Sequence, residues 1–217
     1  MWAQLSRVLF SSFLETLYMV GMSSTISFIC GIPLGVFLHV TAKGEILERP
    51  KVNGVLSAVV NAARSTPFII LMVLLIPVTR MIVGTSIGIN AAVVPLAVAA
   101  IPFVGRIVEG ALKEVDRGVV EAAQSMGATP RQIIGKVLLP EALPAIISGL
   151  TLAVINLIGY SAMAGAVGGG GLGDLAIRYG YQRFRMDIMF ATVVILIAMV
   201  QICQGLGDRM AGKARKS

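Results

Sequence analysis

Four stretches of this chain run for 20 residues or more without a single Asp, Glu, Lys or Arg. They are residues 16–42, 81–105, 142–173 and 188–207, with lengths of 27, 25, 32 and 20. A helix rises about 1.5 Å per residue, so about 20 apolar residues cross the hydrocarbon core of a bilayer. A fifth apolar segment, 54–79, is interrupted by Arg64, but its two parts together are long enough. Composition agrees: 56% of the 217 residues are hydrophobic and 13% charged, against roughly 45–50% and about 25% in a soluble domain. A soluble enzyme, a disordered chain and a disulfide-rich secreted domain are excluded. Backbone polar groups in lipid must be paired internally, and the pattern is helical rather than barrel-like. The expectation is an all-α integral membrane protein: one transmembrane domain, 1–217, with five transmembrane helices near 16–40, 54–79, 84–106, 142–167 and 187–207.

Five spans place the termini on opposite sides. The loop 41–53 (Lys43, Arg49, Lys51), the segment 106–141 (Arg106, Lys113, Arg117, Arg131, Lys136) and the tail (Arg209, Lys213, Arg215, Lys216) share one side and hold twelve of the 18 Lys and Arg residues. Five more lie on the other side. The richer side is expected to be cytoplasmic, with the N-terminus outside. The net charge of +7 therefore reports topology. Nucleic acid is not an expected partner, because no basic patch is interleaved with aromatics. No cleavable signal peptide is apparent.

The long spans carry no acid or base in their interiors, so an ion-coupled relay is not expected. His39 ends the first stretch and reads as an interfacial residue. Cys30 and Cys203 lie in apolar stretches without metal spacing and read as small buried hydrophobes. No catalytic residue and no metal or cofactor ligand is expected of this chain. Gly207-Asp-Arg-Met-Ala-Gly212-Lys213-Ala214 ends in Ala where a P-loop needs Ser or Thr for magnesium. The G-x-G-x-x-G within 168–173 has no preceding strand. Its glycines suit a tight turn and close helix approach instead.

The richest segment is the inner loop, about 107–141. Val115, Val119, Ala122, Ala123 and Met126 recur at helical spacing, and Gly127 stands where a C′ glycine belongs. Thr129, Pro130 and Gln132 read as N-cap, N1 and N3 of a second helix with Ile133, Ile134, Val137 and Leu138 on one face. Pro140 and Pro144 then mark the start of the fourth span. Two short helices joined by a sharp turn could dock in a partner's groove and transmit a push, or could be an interfacial linker.

Glu121-Ala-Ala123, then Gly127 after three residues, then Val137-Leu-Leu-Pro140 after nine more, resembles the EAA motif of bacterial ABC-importer permeases, with Val137 for Ile the one departure. Arg64-Ser-Thr-Pro67-Phe-Ile-Ile-Leu, Ile82-Val-Gly-Thr-Ser-Ile-Gly88 and Gly159-Tyr-Ser-Ala-Met-Ala-Gly-Ala-Val-Gly168 resemble the methionine-importer permeases in particular. The resemblance implies a type I ABC-importer permease fold in the bacterial inner membrane. It implies a homodimer, two copies of a cytoplasmic ATPase that hold the ATP and magnesium, and an external substrate-binding protein. Methionine is the implied substrate; another amino acid or small polar solute is the alternative. The coupling helix would be residues 118–126, with Glu121, Ala122, Ala123, Met126, Gly127 and Ala128 facing the ATPase.

The fourth span holds an unusual string of small residues around Tyr160, Ser161 and Met163. Met163, with Tyr160, could form an apolar gate near a dimer axis, or the string could serve ordinary helix packing. Arg64 could meet a substrate carboxylate, bond another helix, or reach for an interface. A passive channel would need a charged ring or filter, and a membrane enzyme would need convergent acids, histidines or cysteines; neither pattern is present.

Overall fold

The computed structural model describes residues 2–215, and side chains from residue 6. Lys216 lies outside the described residues. The helices are α1 (Trp2–Val40), α2 (Pro50–Ser65), α3 (Phe68–Leu74), α4 (Ile76–Val83), α5 (Ile89–Lys113), α6 (Arg117–Ser125), α7 (Pro130–Ile133), α8 (Leu139–Ala166), α9 (Gly171–Leu175) and α10 (Met186–Ala214). Among the described residues, α1, α5, the path from Pro130 to Ala166, and α10 are each long and apolar enough to cross a membrane.

The fifth crossing is the segment expected over 54–79, and it is not one straight helix. α2 and α3 meet at 104°. Pro67 has no N–H to continue the helical ladder and disfavours an α conformation in Thr66, whose φ and ψ are −79° and 123°. Helix directions nevertheless require this segment to cross. Ser23 donates to Val93 O (3.4 Å) and Ser27 to Ala97 O (3.3 Å). Gly31 and Gly35 lie against Val104 and Gly105. The partners advance together, so α1 and α5 run parallel, and the chain between them must return to the starting side. Gly31-Ile-Pro-Leu-Gly35 is a G-x-x-x-G spacing that lets the two backbones approach closely.

Several boundaries differ from the charge-based expectation. α1 begins near the N-terminus, because Glu15 is used inside the fold. α5 starts at Ile89, after Gly84 and Gly88 with φ of 82° and 103°. It then runs to Lys113, past the expected end near 106. The charges there neutralise each other: Glu109, 4% exposed, meets Arg106 at 2.5 Å and Lys113 at 2.6 Å. α7 does not stop before the fourth span. Residues Ile134–Leu138 form wide turns in which Leu139 N–H reaches Ile134 O, and the helical path continues. Pro140 and Pro144 have no N–H to donate, and widening the turn accommodates such a gap.

Two apolar clusters hold the bundle. Met19, Phe68, Leu96, Leu157 and Leu172 fill the end that carries the glycine run. Val104, Val108, Leu112, Ala123, Ile133 and Ile146 fill the opposite end, beneath the loops. His39 is buried there, with Nε2 at 3.6 Å from Glu45 in the loop that folds over it. Cys30, expected to be buried, is exposed, and Cys203 is half-buried; both are free thiols. Ile29, Val194 and Ile197 also point outward, at 68%, 63% and 56% exposure. Such apolar surface suits a lipid environment.

Candidate functional site

α6 projects from the loop end with defined stops at both ends. Asp116 caps its first turn, its Oδ1 accepting from Gly118 N at 2.6 Å. A carboxylate at a helix N-terminus satisfies free N–H groups and the dipole. An Asp directly before an amphipathic run is an N-cap signal, so this residue was findable in the sequence. At the far end Gly127 N bonds Gln124 O (2.9 Å) and Ala128 N bonds Ala123 O (3.1 Å). This is a Schellman turn, and it places Gly127 at φ 79°, where a Cβ is unfavourable. The next turn opens with the expected capping box: Thr129 and Gln132 bond reciprocally, with Pro130 at N1.

Burial divides the motif residues. Ala123 is buried at 6% and joins the apolar cluster under the loops. Glu121, Ala122, Met126 and Gly127 are exposed, and Ala128 is half-buried. Met126 reaches 81% exposure and Val119 44%. Ala123 therefore attaches the helix to its own bundle, while its neighbours present a mixed surface outward. Arg117 lies 3.7 Å from Glu45 and adds a tether to the loop after α1. Nothing in the local sequence announces that pair.

On α8, helical geometry separates the residues expected around the pathway. Leu152, Asn156, Gly159 and Met163 are exposed and recur at steps of three and four, so they form one stripe. Met163 is 45% exposed. Tyr160 flanks the stripe and stacks on Phe68 of α3, with ring centroids 4.7 Å apart and planes at 3°. Ser161 does not share the face: it is 1% exposed and donates to Ile158 O at 2.7 Å. Two residues from Met163 is about 200° around a helix, which turns Ser161 into the bundle. Ala164 and Gly165 also face inward. A Cβ on Gly165 would fall 2.8 Å from Gly173 C, so part of the small-residue string serves packing within the chain.

Arg64 is in the last turn of α2, with its guanidinium carbon 5.9 Å from the centroid of the Phe103 ring. It is exposed in this chain and does not share the stripe of Met163. Among the described residues no group of three His, Cys, Asp or Glu side chains could hold a metal ion.

The family described as binding-protein-dependent transport system inner membrane component matches residues 31–206. The chain is 58% identical over 205 residues to the probable D-methionine transport system permease protein MetI of Vibrio cholerae, covering 94% of this chain and 91% of that one. It is 48% identical over 194 residues to the methionine import system permease protein MetP of Bacillus subtilis, covering 89% and 87%. A chain from an inward-facing conformation of the MetNI methionine ABC transporter superposes with a TM-score of 0.96 at 48% identity, over 97% of this chain and 98% of that one.

Proposed function

The chain belongs to the family of binding-protein-dependent transport system inner membrane components, and on that premise we propose that it is the membrane-spanning permease subunit of a methionine ABC importer. The observation that carries this reading is the 48% identity to a MetNI chain across nearly the whole of both. The chain provides the passage and does no chemistry. Energy comes from ATP and magnesium held on a separate ATPase below the loop end, which is the cytoplasmic side. α6 is the coupling helix. Val119, Glu121, Ala122 and Met126 meet the ATPase, while Ala123 and the turn at Gly127 keep the helix rigid enough to pass the movement on.

The passage itself is built by a homodimer. The exposed stripe of Leu152, Asn156, Gly159 and Met163 supports this, because small side chains let two helices approach closely. In the closed state Met163 blocks the passage, with Tyr160 held behind it by Phe68. An external substrate-binding protein delivers methionine to the glycine-run end. ATP binding closes the ATPase dimer and turns the passage outward; hydrolysis resets it.

The test is co-purification of the tagged chain from its native membranes, followed by reconstitution with what comes down. A stoichiometric ATPase, and methionine uptake that stops without ATP, is the expected result. A chain that comes down alone and passes solutes without ATP would refute the reading.

A further inference from the structure

Between the last turn of α2 and the loop-end half of α5 lies an open recess of about 340 Å³. Arg64, Phe103, Arg106, Glu109, Gly110 and Lys113 line it. Three cations face one carboxylate, and that carboxylate is fully used: one oxygen meets Arg106 and the other Lys113. Arg106 also donates to Ser57 O (3.1 Å) and Asn61 Oδ1 (2.9 Å), which anchors α5 to α2. Two features of the recess remain unbalanced. The buried Arg106 Nε has no hydrogen-bond partner. Arg64 meets the Phe103 ring and no carboxylate among the described residues. From Phe103 to Lys113 the helix rises about 15 Å, so Arg64 lies about that far from the loop end of α5. A charge there needs a partner, a cavity or a headgroup.

We propose that this recess is a binding site for an oxyanion on an apolar body, with Arg64 as the principal contact. A guanidinium offers a planar fork that suits carboxylate and phosphate alike. Phe103 and Ile107 supply an apolar wall beside it. Gly110 keeps the floor open, because a Cβ there would meet nothing within 4 Å. Two sources of that chemistry reach this depth: the headgroup of an anionic phospholipid and the carboxylate of the transported amino acid. The second source rests on the transport reading; the first does not.

A ligand that binds the folded state raises its apparent stability, so thermal unfolding reports occupancy. The intact complex is titrated with phosphatidylglycerol in mixed micelles, with methionine, and with methionine amide. Three variants are compared: Arg64→Gln, Arg64→Lys, and Gly110→Leu, which keeps every charge and fills the recess. The expected result is stabilisation of the wild type that needs roughly tenfold more probe in Arg64→Gln, is lost in Gly110→Leu, and is partly kept in Arg64→Lys. Phosphatidylglycerol as the effective probe assigns the site to lipid; methionine with an inactive amide assigns it to the substrate. Variants that respond as the wild type does would overturn the proposal, and so would a wild type that responds to neither probe. Absence of ATP-driven methionine uptake would count against the transport reading alone and leave the phospholipid result standing.

Discussion

The carboxylate of Glu15 on α1 accepts a 2.8 Å hydrogen bond from the backbone N–H of Gly171, 156 positions later. Its neighbour Thr16 accepts from Leu172 N at 2.9 Å while donating to Ser12 O. Two adjacent side chains of the first helix thus cap the start of α9, where N–H groups have no partner within the helix. The glycine run is shaped to this contact. Gly171 has φ 75°, and a Cβ there would fall 2.7 Å from Thr16 Oγ1. Gly168 O also accepts from Gly88 N, which joins the run to the start of α5.

Glu15→Ala should therefore loosen the end of the bundle away from α6. Losing a charge-assisted bond at a half-buried site costs about 1.5–3 kcal/mol, and the melting temperature of the purified complex should fall by several degrees. Glu15→Gln, which can still accept the bond, should lose less. Equal losses in the two variants would count against the capping role.

Gly127 should rank its substitutions by their tolerance of a left-handed backbone. Gly127→Asn should keep most ATP-driven uptake, because Asn visits this region readily. Gly127→Val should cost about 1–2 kcal/mol in the turn and lose both ATPase co-purification and uptake. If Val and Asn behave alike, the turn does not matter to coupling.

The two alanines of the motif should separate cleanly. Ala123→Leu overpacks the cluster under the loops and should destabilise the chain itself by about 1–3 kcal/mol. Ala122→Leu is exposed, so the chain should unfold normally yet bind its ATPase more weakly. Unfolding in detergent and pull-down yield, measured on both variants, check this. The reverse pattern would mean that α6 is turned the other way.

Glu109→Ala leaves Arg106 buried without its carboxylate. Breaking a buried pair costs roughly 3–5 kcal/mol, and the lower end applies because Lys113 is half exposed. Thermal unfolding of the variant is the measurement. Replacing Arg106 as well should recover part of the loss, as a double-mutant cycle would show.

Met163→Cys, made in a chain with Cys30 and Cys203 replaced by Ala, should react with an aqueous maleimide only in one nucleotide state. Labelling with and without a trapped ATP analogue tests it. Failure to react in any state would remove Met163 from the passage.

Much of the fold was legible because a bilayer leaves few choices. The charge-free stretches mark α1, α5, α8 and α10, since an uncharged run of that length has to be buried or lipid-facing. The turn at Gly127 and the capping box at Thr129 were equally readable, because both depend on residues a few positions apart. Asp116 and the spacing of Gly31 and Gly35 carry signals of the same local kind. Pro67 breaks the helical ladder by a local rule of the same kind, but the 104° angle that results is set by packing.

What one-dimensional pattern could not supply is anything resting on a distant partner. Glu15 and Arg106 look like span limits in the sequence; in the fold they lie within helices, because Gly171 and Glu109 satisfy them. Cys30 is exposed where burial was expected for the same reason: burial depends on which helix packs against which face. Ser161 and Met163 are two residues apart, and only the packing of α8 against α5 and α9 turns one inward and leaves the other open. The sequence by itself determined which stretches must form apolar helices and where the turn at Gly127 lies, since length, charge and backbone chemistry are local. The tertiary structure alone decided which charges are paired and which, at Arg64, are left facing open space, because electrostatic compensation is set by distance in space and not along the chain.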